Sequence, residues 1–143
     1  MVYRATTLLD DYFTREGVKH RLEATENQSR IVCGVKGRDD RIAQVLFISS
    51  GNTLDLSVRV FNFNNLKCDG ASRSACLRAC NRLNNRFRFA KFLVDLDDTI
   101  NIEYDVPQET NEENLGPMCK EIFFRLMSIM DEAYKEFDEL ALG

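Results

Sequence analysis

The fold is decided by residues 28–61, which read QSRIVCGVKGRDDRIAQVLFISSGNTLDLSVRVF. Within this stretch, apolar residues recur at every second position in Gln28–Lys36, Arg41–Ser49 and Leu54–Phe61. Such alternation is typical of β-strands that bury one face. The strands are joined by two short links rich in glycine, aspartate, serine and asparagine, which favour hairpin turns. The stretch therefore predicts an antiparallel meander.

Three further segments have the pattern of strands. Val18–Ala24 is the first strand of the meander, joined to the next by the short link Glu26-Asn27, and it places apolar and charged residues on opposite sides. Arg86–Leu96 is rich in aromatic residues, and its alternation changes phase near Ala90, which indicates either a bulge or a strand covered on both faces. Ile100–Val106 alternates cleanly after a turn that contains aspartate, as a half-buried strand does.

Apolar residues at helical spacing predict three helices around these strands. The first covers Thr6–Glu16, the second covers Ala71–Asn84, and the longest ends near Leu140. The start of the last helix is open between two alternatives. A capping-box pattern favours a start near Asn111, whereas a glycine–proline pair favours a start near Leu115.

Length and composition indicate one domain that spans residues 1–143. The mass is 16.5 kDa, with 44% hydrophobic and 29% charged residues, which are ordinary values for a globular chain that buries a core. These values exclude a disordered chain, a collagen and a bundle of membrane spans. With the order helix, four strands, helix, two strands, helix, they predict an α+β fold in which an antiparallel sheet, made of a meander of about four strands and a second hairpin, packs with three helices.

No targeting or membrane-spanning segment is recognisable. The apolar run near the start is interrupted by Asp10 and Asp11, and no run approaches the roughly 18 apolar residues of a membrane helix. The five cysteines are odd in number and lack the spacing of a secreted disulfide framework. We therefore expect a cytoplasmic protein.

The sequence contains no motif for catalysis, phosphate binding or cofactor binding. It lacks GxSxG, GxxxxGK[ST] and GxGxxG patterns, and its single histidine, His20, has no recognisable nucleophile as a partner. Cys76 and Cys80 share a helix face, but the other cysteines are scattered, so core packing is favoured over a zinc site. The aspartates of Asp95–Asp98 lie at a predicted turn. We expect no enzymatic activity, no cofactor and no metal.

Charge is distributed unevenly along the chain. Residues 66–91 carry seven basic and one acidic side chain, whereas residues 92–143 carry three basic and fourteen acidic. Arg78, Arg82 and Arg86 recur every four residues on one face of the second helix. Two interpretations remain open: this arginine ridge binds RNA, or it pairs with acidic side chains of the last helix. The overall pI near 5.1 argues against a nucleic acid.

The strands Ile42–Ile48 and Phe87–Leu96 are apolar on both faces, so we expect more apolar sheet surface than the three helices of the chain can cover. A second copy or a polypeptide segment would cover the remainder. The leading hypothesis is therefore a non-enzymatic, chaperone-like or regulatory adaptor that binds polypeptide and forms a homodimer. The predicted partner-binding residues are Val45, Phe47, Phe87, Phe89, Phe92, Val94, Arg78, Arg82 and Arg86.

The stretch Leu77–Tyr104 resembles the YbjN-like family. In that family a helix ends in Leu-Asn, as at Leu83-Asn84, a strand contains Lys-Phe, as at Lys91-Phe92, and a turn follows, as at Asp95–Asp98. The long last helix also fits. The family is similar in fold to type III secretion chaperones, which are small acidic dimers that bind polypeptides. The resemblance implies a sheet backed by helices, self-association, a regulatory role and no catalytic residues.

Overall fold

The computed structural model describes residues 1–105 and 110–142, with the side chains of residues 141 and 142 left aside. The described residues form three α-helices and six β-strands in the predicted order. The helices are α1 (Arg4–Arg15), α2 (Arg73–Arg86) and α3 (Leu115–Leu142). The strands are β1 (Arg21–Ala24), β2 (Ser29–Lys36), β3 (Ile42–Ser49), β4 (Ser57–Val60), β5 (Ala90–Val94) and β6 (Ile100–Tyr104). The α+β prediction is confirmed.

The six strands form one antiparallel sheet with the order β1-β2-β3-β4-β6-β5. The first four strands are sequential neighbours, which confirms the predicted meander. After β4 the chain runs through α2 to the far edge of the sheet, and β6 then returns between β4 and β5. The predicted second hairpin is therefore present, and it joins the meander through β6.

One face of the sheet and the inner sides of the three helices form a single hydrophobic core. Alternation places Val45 and Phe47 of β3 on this face, and both are fully buried. The Phe47 ring contacts the Phe13 ring of α1 edge to face, with centroids 5.8 Å apart. The core continues beneath α3, where Phe63 stacks on Tyr134 at 4.6 Å.

The opposite face, here called the open face, is covered largely by charged side chains of the sheet itself. Leu46 lies between Val32 and Arg59 in the strand register and is only 6% exposed. Arg59 forms a bidentate pair with Asp105 at 2.8 and 3.0 Å, and its side chain is 19% exposed. Its aliphatic stem suits it to cover apolar neighbours while its charged end reaches solvent. The prediction of a large uncovered apolar area is therefore wrong for most of this face, although Ile42 remains 74% exposed.

Several element boundaries differ from the prediction, among them the start of β4, which lies at Ser57 and not at Leu54, and hydrogen bonds explain two of the differences. The segment Val18–His20 does not pair in β1, because the Val18 amide donates to the Phe13 carbonyl at the end of α1. The second helix continues past Asn84 to Arg86. Asn84 does not end the helix in a left-handed conformation; its side-chain amide accepts from the Phe92 amide at 2.6 Å and donates to the Phe92 carbonyl at 3.0 Å.

The aromatic segment predicted as one strand therefore divides into the end of α2, a short link and β5. The change of phase near Ala90 is neither a bulge nor a strand covered on both faces, because β5 begins at that residue. Phe87 and Phe89 lie in the link, outside the sheet ladder. The predicted last residue of β6, Val106, lies outside the described residues.

The last helix begins at Leu115, which decides between the two predicted starts. The Asn111 side chain accepts hydrogen bonds from the amides of Glu113 and Asn114, both at 2.9 Å, in a turn before the helix. At 28 residues α3 is the longest helix, and its polar positions recur throughout. Among the residues that the structure describes, no helix combines the length and apolar character needed to cross a bilayer.

A disulfide joins Cys68, in the loop before α2, to Cys76 in the first half of the helix. The cysteine spacing did not predict this bond, because the two residues lie eight positions apart and no paired framework surrounds them. Both side chains lie in the core at 0–1% exposure. The expectation that Cys76 packs as a core residue is met, and the bond additionally fixes the loop to α2.

Candidate interaction surface

Three of the predicted partner-binding residues are inaccessible in this chain. Val45, Phe47 and Phe92 have relative exposures of 0, 0 and 2%, because alternation directs them toward the helices. The Phe92 ring contacts the rings of Phe63 and Phe137, with centroids 6.2 and 6.3 Å apart. A partner cannot reach these three side chains while the domain is folded.

Phe87 and Phe89 instead border a groove at the surface, here called the aromatic groove. Its volume is about 340 Å³. It lies where the link between α2 and β5 meets β6 and α3. Phe87 and Phe89 are both half-buried, so part of each ring faces solvent. The groove is lined by Phe87, Arg88, Phe89, Tyr104, Arg125, Ser128 and Ile129.

The two phenylalanines of the aromatic groove are held in place by the secondary-structure elements on either side of them. The Phe87 amide donates to the Leu83 carbonyl at 2.9 Å, which closes α2 directly before the first ring. Ala90 pairs with Tyr104 in the ladder between β5 and β6, directly after the second ring. The Phe89 and Tyr104 rings lie 6.1 Å apart. The two half-exposed phenylalanines are therefore held between a helix end and a strand start, and only three residues connect these elements.

Two arginines supply the charge of the groove. The Arg88 guanidinium lies over the Phe89 ring, with its central carbon 5.5 Å from the centroid, and Arg88 forms no ion pair within the described part of the chain. Arg125 differs, since it pairs with Glu121 one helical turn earlier. The Tyr104 hydroxyl and the charge of Glu121 raise the pKa of Arg125. The groove therefore combines exposed aromatic surface with one cation that lacks a carboxylate.

The predicted arginine ridge of α2 is largely neutralised by α3. Arg82 and Arg86 both bond Glu136, at 3.2 and 3.1 Å, and Arg86 also lies 3.7 Å from Glu132. The Glu136 side chain is only 13% exposed and lies between the two guanidinium groups. Arg78 bonds the Ser74 hydroxyl at 2.9 Å. The second interpretation of the ridge, pairing with acidic side chains of the last helix, is confirmed for Arg82 and Arg86.

The single histidine occupies a structural position. Its Nε2 lies 2.7 Å from Asp10 Oδ1, and its Nδ1 lies 2.7 Å from the Val18 carbonyl oxygen. The ring also packs on Phe13 edge to face. Because both ring nitrogens face acceptor oxygens, neither is free to act as a general base toward a substrate. His20 thus meets a carboxylate, but it links α1 to the chain that enters β1.

The remaining chemical candidates also have structural roles. Burial raises the pKa of the Cys33 and Cys119 thiols to about 12 and that of Cys80 to about 11. Such thiols carry almost no thiolate near neutral pH and are poor nucleophiles. In the turn after β5, Asp97 accepts from the Thr99 amide and hydroxyl, which supports its predicted turn role. No group of three or more potential ligands is placed to hold a metal within the described residues.

The remaining predicted residue, Val94, is half-buried at the end of β5 and lies outside the aromatic groove. The predicted set lacks five residues that line the groove. Arg88 belongs to the alternating Arg-Phe-Arg-Phe run of the sequence, so the pattern could have included it. Tyr104, Arg125, Ser128 and Ile129 come from β6 and α3, and only the tertiary fold brings them to the link.

Comparison with known proteins identifies the family of this chain. No curated protein matches the chain significantly. A family profile described as "YbjN: Putative bacterial sensory transduction regulator" matches residues 6–138, which is nearly the whole chain. The match begins within α1 and ends within α3, so it includes every strand. This protein belongs to the YbjN family.

Proposed function

We propose that this chain is a non-enzymatic regulatory adaptor that binds a polypeptide partner at the aromatic groove. The observation that carries the proposal is the pair of half-buried rings, Phe87 and Phe89, beside the unpaired cation of Arg88. Aromatic residues and arginine are the side chains that most often dominate the energy of protein interfaces. The regulatory description of the family is compatible with a role that needs binding and no chemistry.

The local contrast between arginines supports this choice of surface. Arg82 and Arg86 are held by Glu136, whereas Arg88, only two residues further on, forms no ion pair within the described residues. A partner carboxylate or backbone carbonyl can therefore bind Arg88 without displacing an internal acid. The rings beside it offer apolar surface that is already ordered, so little side-chain entropy is lost on binding.

Self-association is the second part of the proposal. The aromatic groove has a volume of about 340 Å³ and accommodates one or two side chains. A stable dimer interface involves about 20–30 residues of each partner. A homodimer would therefore extend beyond the groove. Sedimentation at micromolar concentration tests it, and a concentration-independent monomer would contradict this part alone.

The proposal is tested by affinity purification from the native cell followed by quantitative mass spectrometry. The variant Arg88→Glu/Phe89→Ala is compared with wild type and with Leu96→Ala, which removes a fully exposed side chain at the other end of β5. We expect one or more proteins to be lost with the groove variant and retained with the control. Equal recovery of every protein by all three baits would refute the groove as the binding surface.

The alternative function, RNA binding by Arg78, Arg82 and Arg86, has one specific observation in its favour, since Arg78 is exposed and, among the residues that the structure describes, bonds only a serine hydroxyl. It requires the other two arginines to leave Glu136. Binding to single-stranded RNA that weakens steeply with salt, and disappears when the three arginines become glutamate, would support it. Absence of binding at low salt would exclude it.

The cytoplasmic location expected from the sequence stays a prediction. The Cys68–Cys76 disulfide gives it a specific test, because the glutathione pool keeps most cytosolic thiols reduced. Cell fractionation combined with thiol trapping would show where the protein lies and whether this bond forms there.

A further inference from the structure

A second groove lies at the corner of the open face where β2 and β3 extend beyond the short β1. Its volume is about 430 Å³. Strand β1 pairs only with residues 29–32 of β2, so the last four residues of β2 have no strand beside them on that side. This surface is here called the corner groove. It is lined by Lys19, His20, Arg21, Val32, Gly34, Val35, Lys36 and Ile42.

The floor of the corner groove is apolar and open. Ile42 is 74% exposed, which is unusual for a strand isoleucine on a face that otherwise covers its apolar residues. Val32 lies nearby in the sheet and is buried. Between them, Gly34 has no side chain, and a Cβ atom added there would meet nothing within 4 Å. The glycine thus leaves space for the side chain of a bound partner beside Ile42.

The rim of the corner groove is basic, and no acidic residue lines it. Lys19 is exposed and forms no ion pair among the residues that the structure describes. Arg21 pairs with Glu23 at 2.9 Å, and Lys36 pairs with Asp40 at 3.4 Å, but the side chains of Arg21, Lys36 and Asp40 are more than half exposed. Exposed pairs of this kind are weak, so a carboxylate from outside can compete for the cations.

His20 also lines the corner groove, but it does not change the excess of basic over acidic side chains there. His20 keeps its ring nitrogens on Asp10 and on the Val18 carbonyl, and its side chain is only 8% exposed. Asp10 lies behind the ring and does not line the corner groove. The charge offered to a ligand therefore comes from the two lysines and Arg21.

We propose that the corner groove docks an acidic peptide segment, with one apolar side chain placed on Ile42 and carboxylates on either side of it. Charge complementarity selects this occupant, since three cations surround an apolar floor and no anion lines it. The groove is open to solvent, which suits a segment that lies across it. The proposal rests on the proposed function, because an acidic segment is one class of polypeptide partner, but it uses a different surface.

The test uses purified full-length protein and a fluorescent decapeptide in which a central leucine is flanked by glutamates. Fluorescence anisotropy at low salt should show binding, and the same peptide with lysines in place of glutamates should not bind. Lys19→Glu/Lys36→Glu should weaken binding by about tenfold or more. Gly34→Leu should also abolish most binding, because the added side chain fills the floor. Lys135→Glu, an exposed lysine of α3, is the matched control and should bind as wild type.

Failure of this proposal is distinguishable from failure of the proposed function. If the acidic peptide does not bind wild type, or binds the rim and floor variants equally well, the corner groove is not its site. If sedimentation instead shows a dimer that Gly34→Leu disrupts, the occupant is a second copy and the acidic-peptide proposal is wrong. Loss of a cellular partner through Arg88→Glu/Phe89→Ala supports the aromatic groove alone, because the peptide measurement at the corner groove does not involve Arg88 or Phe89.

Discussion

Replacing Glu136 by glutamine should release the arginine ridge of α2 from α3. The substitution keeps the shape of the side chain and removes the charge that Arg82 and Arg86 share at 3.2 and 3.1 Å. Exposed ion pairs contribute about 0.2–1 kcal/mol each, and the Glu136 side chain is 13% exposed, which places these pairs toward the upper end. Glutamine can still accept one hydrogen bond, so we expect the free energy of unfolding to fall by about 1 kcal/mol.

Urea unfolding followed by circular dichroism measures this change, with Glu139→Gln on the same helix as the matched control, because Glu139 is exposed. The difference between the two variants should shrink at high salt, since surface charges are screened within about 10 Å at 0.1 M salt. The freed arginines should also raise nonspecific affinity for RNA at low salt. If Glu136→Gln unfolds like Glu139→Gln and binds no more RNA than wild type, the account of a neutralised ridge is refuted.

Three further predictions concern stability. Gly116→Ala should lower the free energy of unfolding by roughly 1–3 kcal/mol, because its Cβ would overlap the Tyr12 ring. Urea unfolding should show no such loss for Gly51→Ala, because a Cβ added at Gly51 would meet nothing within 4 Å. Replacing both Cys68 and Cys76 by serine should lower the free energy of unfolding by about 2.5 kcal/mol, as expected for a disulfide that closes a loop of this length. A reductant should lower the free energy of unfolding of wild type but not that of the variant. Equal responses of the two proteins would contradict a formed bond. Burial raises the pKa of Cys33 to about 12, so above about pH 8.5 its thiolate forms mainly in the unfolded state, and its contribution to stability should be complete below that pH and lost as the pH rises. Urea unfolding at several pH values should show that Cys33→Ala removes this contribution and leaves those of Cys80 and Cys119.

The sequence predicted most of the architecture because the deciding signals were local. Alternation identified the strands of the meander, and the glycine–proline pair near Leu115 marked the true start of α3. The YbjN resemblance extended this to the whole chain, which the family match confirms. The end of α2 was misplaced because Asn84 uses its side chain to bond Phe92 in the strand that follows, a contact that helix propensity does not encode.

The candidate surface was only partly predictable for the same reason. Phe87 and Phe89 were identified, but the predicted single strand concealed that they lie in a link and not in the sheet. Apolar patterning marked Val45 and Phe47 as candidates, and the choice of buried face was then set by packing against α1. The cover of the open face by Arg59 and its carboxylate partner was not visible either, because long charged side chains read as polar in a hydropathy pattern.

The central claim, that the aromatic groove contacts a partner, is tested most directly by photo-cross-linking in living cells. A photoreactive phenylalanine analogue is placed at Phe89 in one strain and at Leu96, the exposed position at the other end of β5, in another. The account predicts a discrete cross-linked protein from the Phe89 position that is absent from the Leu96 position and disappears with Arg88→Glu. Identical cross-linking patterns at the two positions, or none at Phe89, would contradict it.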